Sequence, residues 1–260
     1  MDNLIILKIG GNVIDNPDSL HRFLTHFAGL PVPKLLVHGG GKIATQVAEK
    51  LDVPTMMVDG RRITDQAMLD VVTMVYGGLV NKQIVAKLQA IDVNAIGLTG
   101  ADAGTVLAQK RPVNDIDYGF VGDIVQVDSG RIQTLLRAGL TPVFAPLTYT
   151  ADGLLLNTNA DTLASAIAVD MTRHNRVTLI YCFEKRGVLS DPADDDSVIA
   201  ELTPAQYADY KAAGTINKGM IPKLDNAFAA LRQGVANVII CYADDVSAAV
   251  TSGAGTTLKL

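Results

Sequence analysis

The chain has 260 residues, of which 48% are hydrophobic and 19% are charged, and its 22 basic and 27 acidic residues give a net charge of −5 at pH 7. This length predicts one large domain or two closely joined lobes, and the apolar content excludes a disordered or collagen-like chain. An acidic chain without a basic tract is not expected to bind nucleic acid.

The cysteines and the terminal sequence bear on the compartment in which the protein works. Cys182 and Cys241 are the two cysteines, and both lie in apolar runs, which predicts buried structural thiols and no disulfide framework. The amino terminus has no basic leader, and no apolar run approaches the ~20 residues of a membrane span. We therefore expect a cytoplasmic protein with no membrane partner.

The first part of the chain alternates short aliphatic runs with amphipathic stretches. Periodicity predicts strands at 4–9, 34–38, 93–98 and 141–145. It predicts helices at 18–29, 42–51, 65–91 (capped by Thr64), 129–138 and 162–171. Gly and Pro among apolar residues at 105–128 predict a β-hairpin, with another hairpin arm at 151–156. The repeated order of strand, Gly-rich turn and helix predicts an α/β fold, a three-layer α/β/α sandwich with one mostly parallel central sheet.

The second part of the chain repeats this layout with different loops. Strands are predicted at 177–183 and 236–241, helices at 203–213 and 219–234, an exposed acidic loop at 192–197, and a final edge strand at 256–260. No flexible linker interrupts the chain. We therefore expect two lobes that share one continuous sheet, an N-terminal lobe of residues 1–170 and a C-terminal lobe of residues 171–260.

Lys8 is the first candidate for chemistry. It ends an aliphatic strand and is followed by Gly10 and Gly11. A lysine is costly to bury without an anionic partner, and open α/β sheets bind ligands at the carboxyl ends of their strands. A solvated lysine at the strand end is the alternative.

A glycine triplet follows His38, between a predicted strand and a predicted helix. Glycines let backbone N–H groups approach an anion, aided by the positive end of the helix. A tight turn is the alternative, and the segment lacks the spacing of a Walker A or dinucleotide motif. His38 itself is assigned neither as a ligand nor as a base.

Three further segments carry candidate groups. Asn157, Asn159 and Asp161 lie within five residues and can either cap a helix or orient a substrate. Of Arg61 and Arg62, one can bind a carboxylate while the other lies on the surface. A lysine in the first turns of the helix predicted at 219–234 opposes the helix dipole, so a phosphate explains it better than helix stability does.

Taken together, these segments resemble the amino acid kinase family. The matching segments run in the family's order: residues 8–11 (Lys-Ile-Gly-Gly), 38–41 (His-Gly-Gly-Gly), 60–64 (Gly-Arg-Arg-Ile-Thr), 157–161 (Asn-Thr-Asn-Ala-Asp) and 219–223 (Gly-Met-Ile-Pro-Lys). Each is weak alone, but five in order are specific. The resemblance implies the amino acid kinase fold. Within the family it implies ATP-dependent phosphorylation of the γ-carboxylate of an N-acylated glutamate, in arginine biosynthesis.

The resemblance also implies roles for individual residues. Lys8 and Lys223 correspond to the lysine pair that stabilises the transferring phosphoryl group, and Asp161 to the carboxylate that positions them. Backbone N–H groups of Gly11 and Gly40 are expected to reach the phosphoryl oxygens. The acylated glutamate is expected to bind at Gly40, Gly41, Arg62, Asn157 and Asn159, with Arg62 on the spare carboxylate.

The resemblance places ATP over the C-terminal lobe. The expected phosphoryl and ATP site comprises Gly10, Gly11, Glu184, Lys185, Gly187, Val188, Leu189, Thr215, Ile216 and Asn217. One segment departs from the family's Ser/Thr-Asp-Val-x-Gly-Val/Ile pattern, because residues 182–188 read Cys-Phe-Glu-Lys-Arg-Gly-Val. Mg²⁺ is expected with ATP, held chiefly by phosphates and water, because no cluster of His, Cys and Asp has the spacing of a protein metal site.

Three alternatives for the function stay open at this point. The acyl group can be acetyl or the bulkier succinyl. The chain can be another kinase of the family, acting on carbamate, aspartate, glutamate or a nucleoside monophosphate. It can also be a catalytically silent sensor of ATP and a metabolite, although a sensor has no need of Lys8, Asp161 and Lys223.

The resemblance and the helix predicted at 65–91 imply a homodimer. That helix carries Met68, Leu69, Val72, Val75 and Leu79, a larger apolar face than one sheet needs. The alternative is that this face is fully buried within the monomer. Family members that arginine inhibits carry an extra N-terminal helix that links dimers into a hexamer. Only three residues precede Leu4, so we expect a dimer that arginine does not regulate.

Overall fold

A central sheet of eight strands organises the chain in a computed structural model that describes residues 1–58, 60–191, 193–216 and 220–260. The strands are β1 (Asp2–Ile9), β2 (Lys34–His38), β3 (Met57–Val58), β4 (Arg61–Arg62), β5 (Ala95–Leu98), β6 (Val106–Lys110), β7 (Gly122–Val127), β8 (Thr141–Phe144), β9 (Leu147–Tyr149), β10 (Leu155–Asn157), β11 (Asn175–Phe183), β12 (Glu201–Leu202), β13 (Asn237–Tyr242) and β14 (Thr256–Leu258). The central sheet has the order β12-β14-β13-β11-β1-β2-β8-β5. Its neighbouring strands are parallel, apart from the antiparallel pair β13–β14.

Helices cover both faces of this sheet. They are α1 (Gly11–Asp15), α2 (Pro17–Ala28), α3 (Gly41–Lys50), α4 (Gln66–Val72), α5 (Asn81–Gln89), α6 (Ser129–Arg137), α7 (Ala160–Met171), α8 (Pro204–Ala212), α9 (Ile221–Arg232) and α10 (Val246–Thr251). A π-helical segment, Thr73–Val80, joins α4 to α5, and short 3₁₀ turns lie at Asp102–Gly104 and Ala243–Asp245.

Strand β1 shows why two layers of helix are needed. Its side chains alternate between two hydrophobic clusters, with Ile5 and Leu7 in one and Leu4 and Ile6 in the other, and all four are buried. A strand buried on both faces reads as a continuous apolar run, as expected for a parallel sheet. The predicted three-layer α/β/α sandwich is confirmed.

The helix predicted at 65–91 is present but not uniformly α-helical. Its cap is Asp65 rather than Thr64, because the Asp65 carboxylate accepts a hydrogen bond of 2.8 Å from the Met68 amide. Within the π-helical segment the pattern changes to i→i+5, and the Asn81 amide donates to the Tyr76 carbonyl. The apolar periodicity that predicts a helix does not distinguish these two backbone patterns.

A smaller sheet of order β10-β9-β6-β7 lies beside the main one. The hairpin predicted at 105–128 is confirmed by the antiparallel pair β6–β7. The arm predicted at 151–156 forms a strand only from Leu155, because 151–154 makes a turn closed by the Thr150 amide on the Leu154 carbonyl. Short strands such as β3, β4 and β9 have too few residues for a periodic signal, and the sequence did not predict them.

The position of the last strand corrects a prediction. Strand β14 lies between β13 and β12, so it is not the edge of the sheet. The edge is the two-residue strand β12, which pairs with β14 through Glu201 and Leu202. The central sheet is continuous, as predicted. Helix α7 ends at Met171, close to the predicted boundary between the two lobes. The division into two lobes stays a prediction.

The apolar face predicted for a dimer contact is mostly internal. Met68, Leu69, Val72 and Val75 are buried within the monomer, and only Leu79, 43% exposed, reaches the surface. The expected surplus of apolar face is therefore wrong for four of the five residues, because the helix packs against both the sheet and its neighbouring helices.

Two further findings concern the environment of the chain. Both cysteines are free and buried, as predicted. Within the part of the chain that the structure describes, none of the helices combines the length and apolar character that a bilayer crossing requires.

Candidate active site

A buried ion pair joins the end of β1 to the start of α7. The Lys8 ammonium lies 2.7 Å from Oδ1 of Asp161, and the two side chains are 7% and 11% exposed. Asn159 places the carboxylate by capping α7: its Oδ1 accepts from the amides of Asp161 and Thr162 at 2.9 and 3.0 Å. The buried lysine therefore has the anionic partner that its sequence context predicted.

Lys223 approaches the same pair from the first turn of α9. Its ammonium lies 4.0 Å from the centroid of the Phe183 ring, and the Lys8 ammonium lies 5.8 Å from that centroid. Both cations thus face one aromatic ring at the end of β11. The structure brings together the three residues predicted to be catalytic, although they are far apart in sequence.

The electrostatics of this cluster lower the pKa values of both Asp161 and Lys223. Burial raises the pKa of the Asp161 carboxyl, but the charges of Lys8 and Lys223 and the hydrogen bond from Lys8 outweigh it, so the pKa lies below its usual range. For Lys223, burial lowers the pKa most, Asp161 and Glu184 raise it, Lys8 lowers it, and the net direction is downward. Lys8 and Lys223 share one carboxylate, that of Asp161, so the three side chains together carry a net positive charge that can attract an anion.

Two glycine segments meet beside this cluster. The Gly39 amide donates to the Ile9 carbonyl at 3.0 Å, which ties the turn after β2 to the turn after β1. A Cβ at Gly10 would lie 3.9 Å from the Lys8 ammonium. Gly40 has a φ of +148°, and a Cβ there would come within 3.1 Å of the Tyr76 ring. A side chain at position 40 would therefore strain the backbone and crowd the Tyr76 ring.

A first cleft of about 190 Å³ opens on one side of the ion pair. It is lined by Gly39, Gly40, Gly41, Met57, Gly60, Arg61, Arg62, Tyr76, Arg111, Val121, Gly122, Pro146, Asn157, Thr158, Asn159, Ala160 and Thr162. All five residues predicted to bind the acylated glutamate line it. The sequence did not single out Tyr76 or Arg111, whose only sequence signal is their place in the 65–91 helix and the 105–128 hairpin.

Arg62 is held in the wall of the first cleft. It is 7% exposed, and its NH2 donates to the Gly41 carbonyl at 2.8 Å and to the Thr45 hydroxyl at 2.9 Å. Asn157 is fixed nearby through a 3.0 Å bond from its Nδ2 to the Thr64 hydroxyl. These bonds connect β4, the start of α3 and the end of β10, three of the segments that the sequence pattern singled out.

A second cleft of about 290 Å³ opens on the other side, next to Lys223. It is lined by Phe183, Glu184, Lys185, Gly187, Val188, Leu189, Thr215, Ile216, Met220 and Lys223. Seven of the residues predicted for ATP line it: Glu184, Lys185, Gly187, Val188, Leu189, Thr215 and Ile216. Gly10 and Gly11 lie beside Lys8 rather than in this cleft, and Asn217 falls outside the described residues.

The extra charges of the segment 184–186 are paired with the acidic loop. The Lys185 ammonium lies 2.5 Å from the Asp195 carboxylate, and Arg186 lies 3.2 Å from Asp196. These pairs are exposed, so they contribute little stability but neutralise the added positive charge at the rim of the second cleft. The two basic residues that depart from the family pattern therefore have acidic partners elsewhere in this chain.

The arrangement has the form of a transfer site. Ala160 lines the first cleft, Lys223 lines the second, and Asp161 with Lys8 lies between them. Two clefts that meet at a pair of cations can bring an anionic donor and an anionic acceptor together. Preorganised cations at that junction stabilise negative charge that develops during transfer.

Sequence comparison with known proteins shows the family of this chain. The sequence matches the profile of the amino acid kinase family over residues 3–242. It is 56% identical to an acetylglutamate kinase of Cytophaga hutchinsonii over 95% of this chain and 94% of that protein, and 50% identical to an acetylglutamate kinase of Bacteroides thetaiotaomicron over 99% of each.

Solved structures share the fold of this chain. The crystal structure of smu.665 from Streptococcus mutans superposes with a TM-score of 0.80 at 28% identity and 98% coverage of both chains. A carbamate kinase from Giardia lamblia bound to AMP-PNP has a TM-score of 0.69 at 12% identity, over 98% of this chain and 97% of its own, and shows that the fold is shared. This chain belongs to the amino acid kinase family.

Proposed function

We propose that this chain transfers the γ-phosphoryl group of ATP to the γ-carboxylate of N-acetyl-L-glutamate, giving N-acetyl-L-glutamyl 5-phosphate in arginine biosynthesis. The observation that carries the proposal is the Lys8–Asp161–Lys223 cluster at the junction of two clefts. The kinship with acetylglutamate kinases over nearly the whole chain supports the choice of acceptor.

In this proposal the first cleft holds the acceptor. Arg62, fixed at the cleft wall, binds the carboxylate that does not react. Asn157, Asn159 and the backbone of Gly40 and Gly41 orient the rest of the molecule. The support for these roles is that all five residues line one cleft, whose lining also includes Ala160 and Thr162 on either side of Asp161.

The second cleft takes ATP in this proposal. Its wall is a turn around Gly187, where a Cβ would lie 2.6 Å from the Thr256 hydroxyl, so the backbone packs directly on β14. The Val188 amide donates to that hydroxyl at 2.8 Å. The nucleotide then lies on the C-terminal lobe with its phosphates directed to Lys223.

The chemistry needs positioning more than acid–base catalysis. The acceptor carboxylate is already ionised at neutral pH, so no general base is required. The barrier arises from repulsion between two anions and from charge that spreads over the phosphoryl oxygens. Lys8 and Lys223 offset that charge, Asp161 holds them in place, and the amides of Gly11 and Gly40 donate to the oxygens.

Mg²⁺ enters this proposal on the phosphates of ATP. Among the described residues, no group of three or more His, Cys, Asp or Glu side chains is placed to hold a metal ion. A metal bound mainly through phosphates and water suits the preference of Mg²⁺ for keeping several of its waters. When bound, the metal neutralises phosphate charge.

N-succinyl-L-glutamate is the second candidate acceptor, and Arg111 favours it. Arg111 lines the first cleft, and its Nε lies 3.0 Å from the Asp123 carboxylate. Among the described residues, none accepts a hydrogen bond from its buried NH1. A succinyl group ends in a third carboxylate, for which a guanidinium nitrogen without a partner is a suitable donor.

Other acceptors have less support. The carbamate kinase neighbours are 12% identical to this chain. The buried Arg62 and the partly buried Arg111 of the first cleft suit a substrate with more than one carboxylate. A silent sensor has no need of the buried Lys8 and the partly buried Lys223 beside one carboxylate, because charged groups removed from water are costly to maintain. We also propose a cytoplasmic homodimer with an acceptor-binding lobe of residues 1–170 and an ATP-binding lobe of residues 171–260.

A coupled assay of ADP release tests the choice of acceptor. Purified protein with Mg·ATP is expected to turn over with N-acetyl-L-glutamate and to give no more than background with aspartate, glutamate or carbamate. N-succinyl-L-glutamate is measured beside it, for the wild type and for Arg111→Leu. If Arg111 binds a third carboxylate, the variant raises KM for the succinyl compound alone. Turnover with carbamate but with neither acylglutamate would contradict the proposal.

A further inference from the structure

A buried row of hydrogen-bonded side chains lies behind the glycine triplet and outside both clefts. His38, at the end of β2, and Asn81, at the start of α5, are 0% and 1% exposed. Asn81 Nδ2 lies 3.1 Å from His38 Nε2, and His38 Nδ1 lies 2.6 Å from the Gly39 carbonyl oxygen. Buried polar groups of this kind are costly unless each is satisfied, so each hydrogen bond has a defined direction.

Lys82 determines which atom donates and which accepts in each of these hydrogen bonds. Its ammonium has only donors, and it lies 3.2 Å from Asn81 Oδ1 and 3.1 Å from the Gly97 carbonyl. Asn81 Oδ1 is therefore an acceptor, which makes Nδ2 the donor to His38 Nε2 and, at 2.9 Å, to the Val143 carbonyl. His38 Nε2 must then carry no proton. The neutral imidazole holds its proton on Nδ1 and donates it to the Gly39 carbonyl.

The consequence lies in the next peptide bond. The C=O of Gly39 and the N–H of Gly40 belong to one planar trans peptide and point in opposite directions. When His38 holds the carbonyl inward, the Gly40 N–H is turned outward, on the side of the first cleft that Gly40 lines. Among the described residues, none accepts a hydrogen bond from that amide. A glycine at a φ of +148° has wide conformational freedom, so this orientation needs an external constraint.

We propose that His38 and Asn81 are positioning residues that fix the Gly39–Gly40 peptide so that the Gly40 amide points at the transferring phosphoryl group. The inference rests on the proposed function, because it deepens the role given there to Gly40. Neither side chain lines a cleft. They act through the backbone, and Lys82 fixes the amide of Asn81, which in turn fixes the tautomer of His38.

The surroundings support a permanently neutral imidazole. Burial lowers the pKa of His38 most, the hydrogen bond to Gly39 raises it, the charge of Lys82 lowers it, and the result is about 4. At neutral pH the ring is therefore a fixed donor rather than a general base. Gly97 completes the arrangement, because a Cβ at that position would collide with Asn81 Oδ1.

The tautomer can be measured without any activity. Long-range ¹H–¹⁵N NMR of the wild-type protein, with His38 assigned by comparison with His38→Asn, is expected to show a neutral ring protonated on Nδ1 throughout pH 6–8. The exposed His21 and His174 give imidazole resonances with which those of His38 are compared. A proton on Nε2, or titration of His38 in this range, would overturn the proposal.

The effect on the reaction separates positioning from simple stability. His38→Leu removes the donor, and we expect kcat to fall ~10²-fold while the KM values change little, because misplacing a reacting group by ~1 Å has an effect of that size. His38→Asn keeps an N–H near the Nδ1 position and is expected to restore most of kcat. Gly97→Ala, which displaces the Asn81 amide from outside both clefts, is expected to behave like His38→Leu.

His174→Leu is the matched control, because it makes the same change at an exposed position. Circular dichroism establishes that each variant is folded before its rates are compared. Wild-type kcat in folded His38→Leu, or equal losses in His38→Leu and His38→Asn, would overturn the proposal. If the wild type does not phosphorylate an acylglutamate, the proposed function fails, whereas the NMR result still tests the hydrogen-bond chain.

Discussion

Lys8 and Lys223 are unusual because two ammonium groups lie near one another in a mostly buried place. Each loses hydration, and Asp161 compensates only one unit of charge. Such a cluster is weak evidence for stability, because apolar residues of similar volume would often be at least as stable. The arrangement is better explained by a substrate that brings negative charge.

The first prediction concerns these two lysines. Lys8→Ala and Lys223→Ala are each expected to lower kcat ~10²–10³-fold, because each removes a preorganised donor to a developing anion. KM values are expected to change far less. Steady-state kinetics with both substrates measures this, with Lys87→Ala, an exposed lysine on α5, as the control. Near-normal turnover of either variant would remove its role in the transition state.

The second prediction is a pH dependence that belongs to Lys223. Its pKa lies below that of an ordinary lysine, chiefly because of burial. Since the group must be protonated to act, kcat/KM for ATP is expected to fall with rising pH, beginning below the usual lysine value of ~10.4. Lys223→Arg is expected to move this fall to higher pH, because arginine keeps its charge.

Glu184 provides an independent check of that assignment. Its carboxylate raises the pKa of Lys223, so Glu184→Gln is expected to move the alkaline fall to lower pH. Opposite shifts in these two variants would identify Lys223 as the group that titrates. The same alkaline profile in the wild type and both variants would contradict this.

At the residue scale, the sequence predicted the charged residues of the Lys8–Asp161–Lys223 cluster better than the other residues that line the site. Lys8, Asp161 and Lys223 stand out because charge interrupts apolar or helical patterns. Arg111 and Tyr76 carry no such signal, since each lies inside a regular element whose pattern it does not disturb. Asn159 was predicted either to cap α7 or to orient substrate, and the structure places it both at the cap and in the first cleft.

At the scale of elements, the turns after the strands decide what the site can bind. The turn after β11 leaves no free space for a side chain at Gly187, where a Cβ would lie 2.6 Å from the Thr256 hydroxyl and 2.8 Å from Val198 Cγ1. That turn forms one wall of the second cleft. A change in its packing therefore changes the nucleotide side of the molecule.

The third prediction tests this wall. Gly187→Ala is expected to raise KM for ATP and to lower the free energy of unfolding by about 1–3 kcal/mol, because overpacking displaces Thr256 from the Val188 amide. KM for the acylglutamate is expected to stay close to that of the wild type. Gly130→Ala, in the first turn of α6, is the matched control and is expected to be neutral or slightly stabilising. Equal effects on both substrates would contradict the placement of ATP in the second cleft.

Most elements of the fold follow from sequence periodicity, and the exceptions have physical causes. Strand β2 matches its predicted range because an apolar run ends sharply at glycine. Strand β12 was missed because two residues carry no period, and its pairing with β14 made the predicted edge strand internal. The π-helical segment was missed because apolar periodicity does not distinguish an α-helix from a π-helix.

At the scale of the whole molecule, the predicted dimer has fewer exposed apolar residues to support it than the sequence indicated. Met74 and Leu79 are 54% and 43% exposed, and they lie five residues apart, which is the spacing of the i→i+5 bonds of their π-helical segment. Two exposed apolar side chains on one side of a helix suit a two-fold contact with the same helix of a second copy.

The fourth prediction is that the protein is a homodimer whose activity arginine does not change. Light scattering at assay concentration is expected to give twice the chain mass of 27.5 kDa, with and without arginine. Leu79→Lys is expected to give the monomer mass. Leu51→Lys changes a leucine after α3 that is 52% exposed, against 43% for Leu79, and is expected to leave the dimer intact. A hexamer, a monomeric wild type or strong inhibition by arginine would contradict the prediction.

The central claim is that the γ-phosphoryl group of ATP is transferred to a carboxylate of an acylglutamate. Trapping the acyl phosphate product tests this claim most directly. An acyl phosphate reacts with hydroxylamine to give a hydroxamate, which mass spectrometry can identify. With Mg·ATP, N-acetyl-L-glutamate and hydroxylamine, we expect the γ-hydroxamate of N-acetyl-L-glutamate in equal amount to ADP, and almost none from Lys8→Ala or Lys223→Ala. Release of ADP by the wild type without any hydroxamate from either acylglutamate would contradict the account.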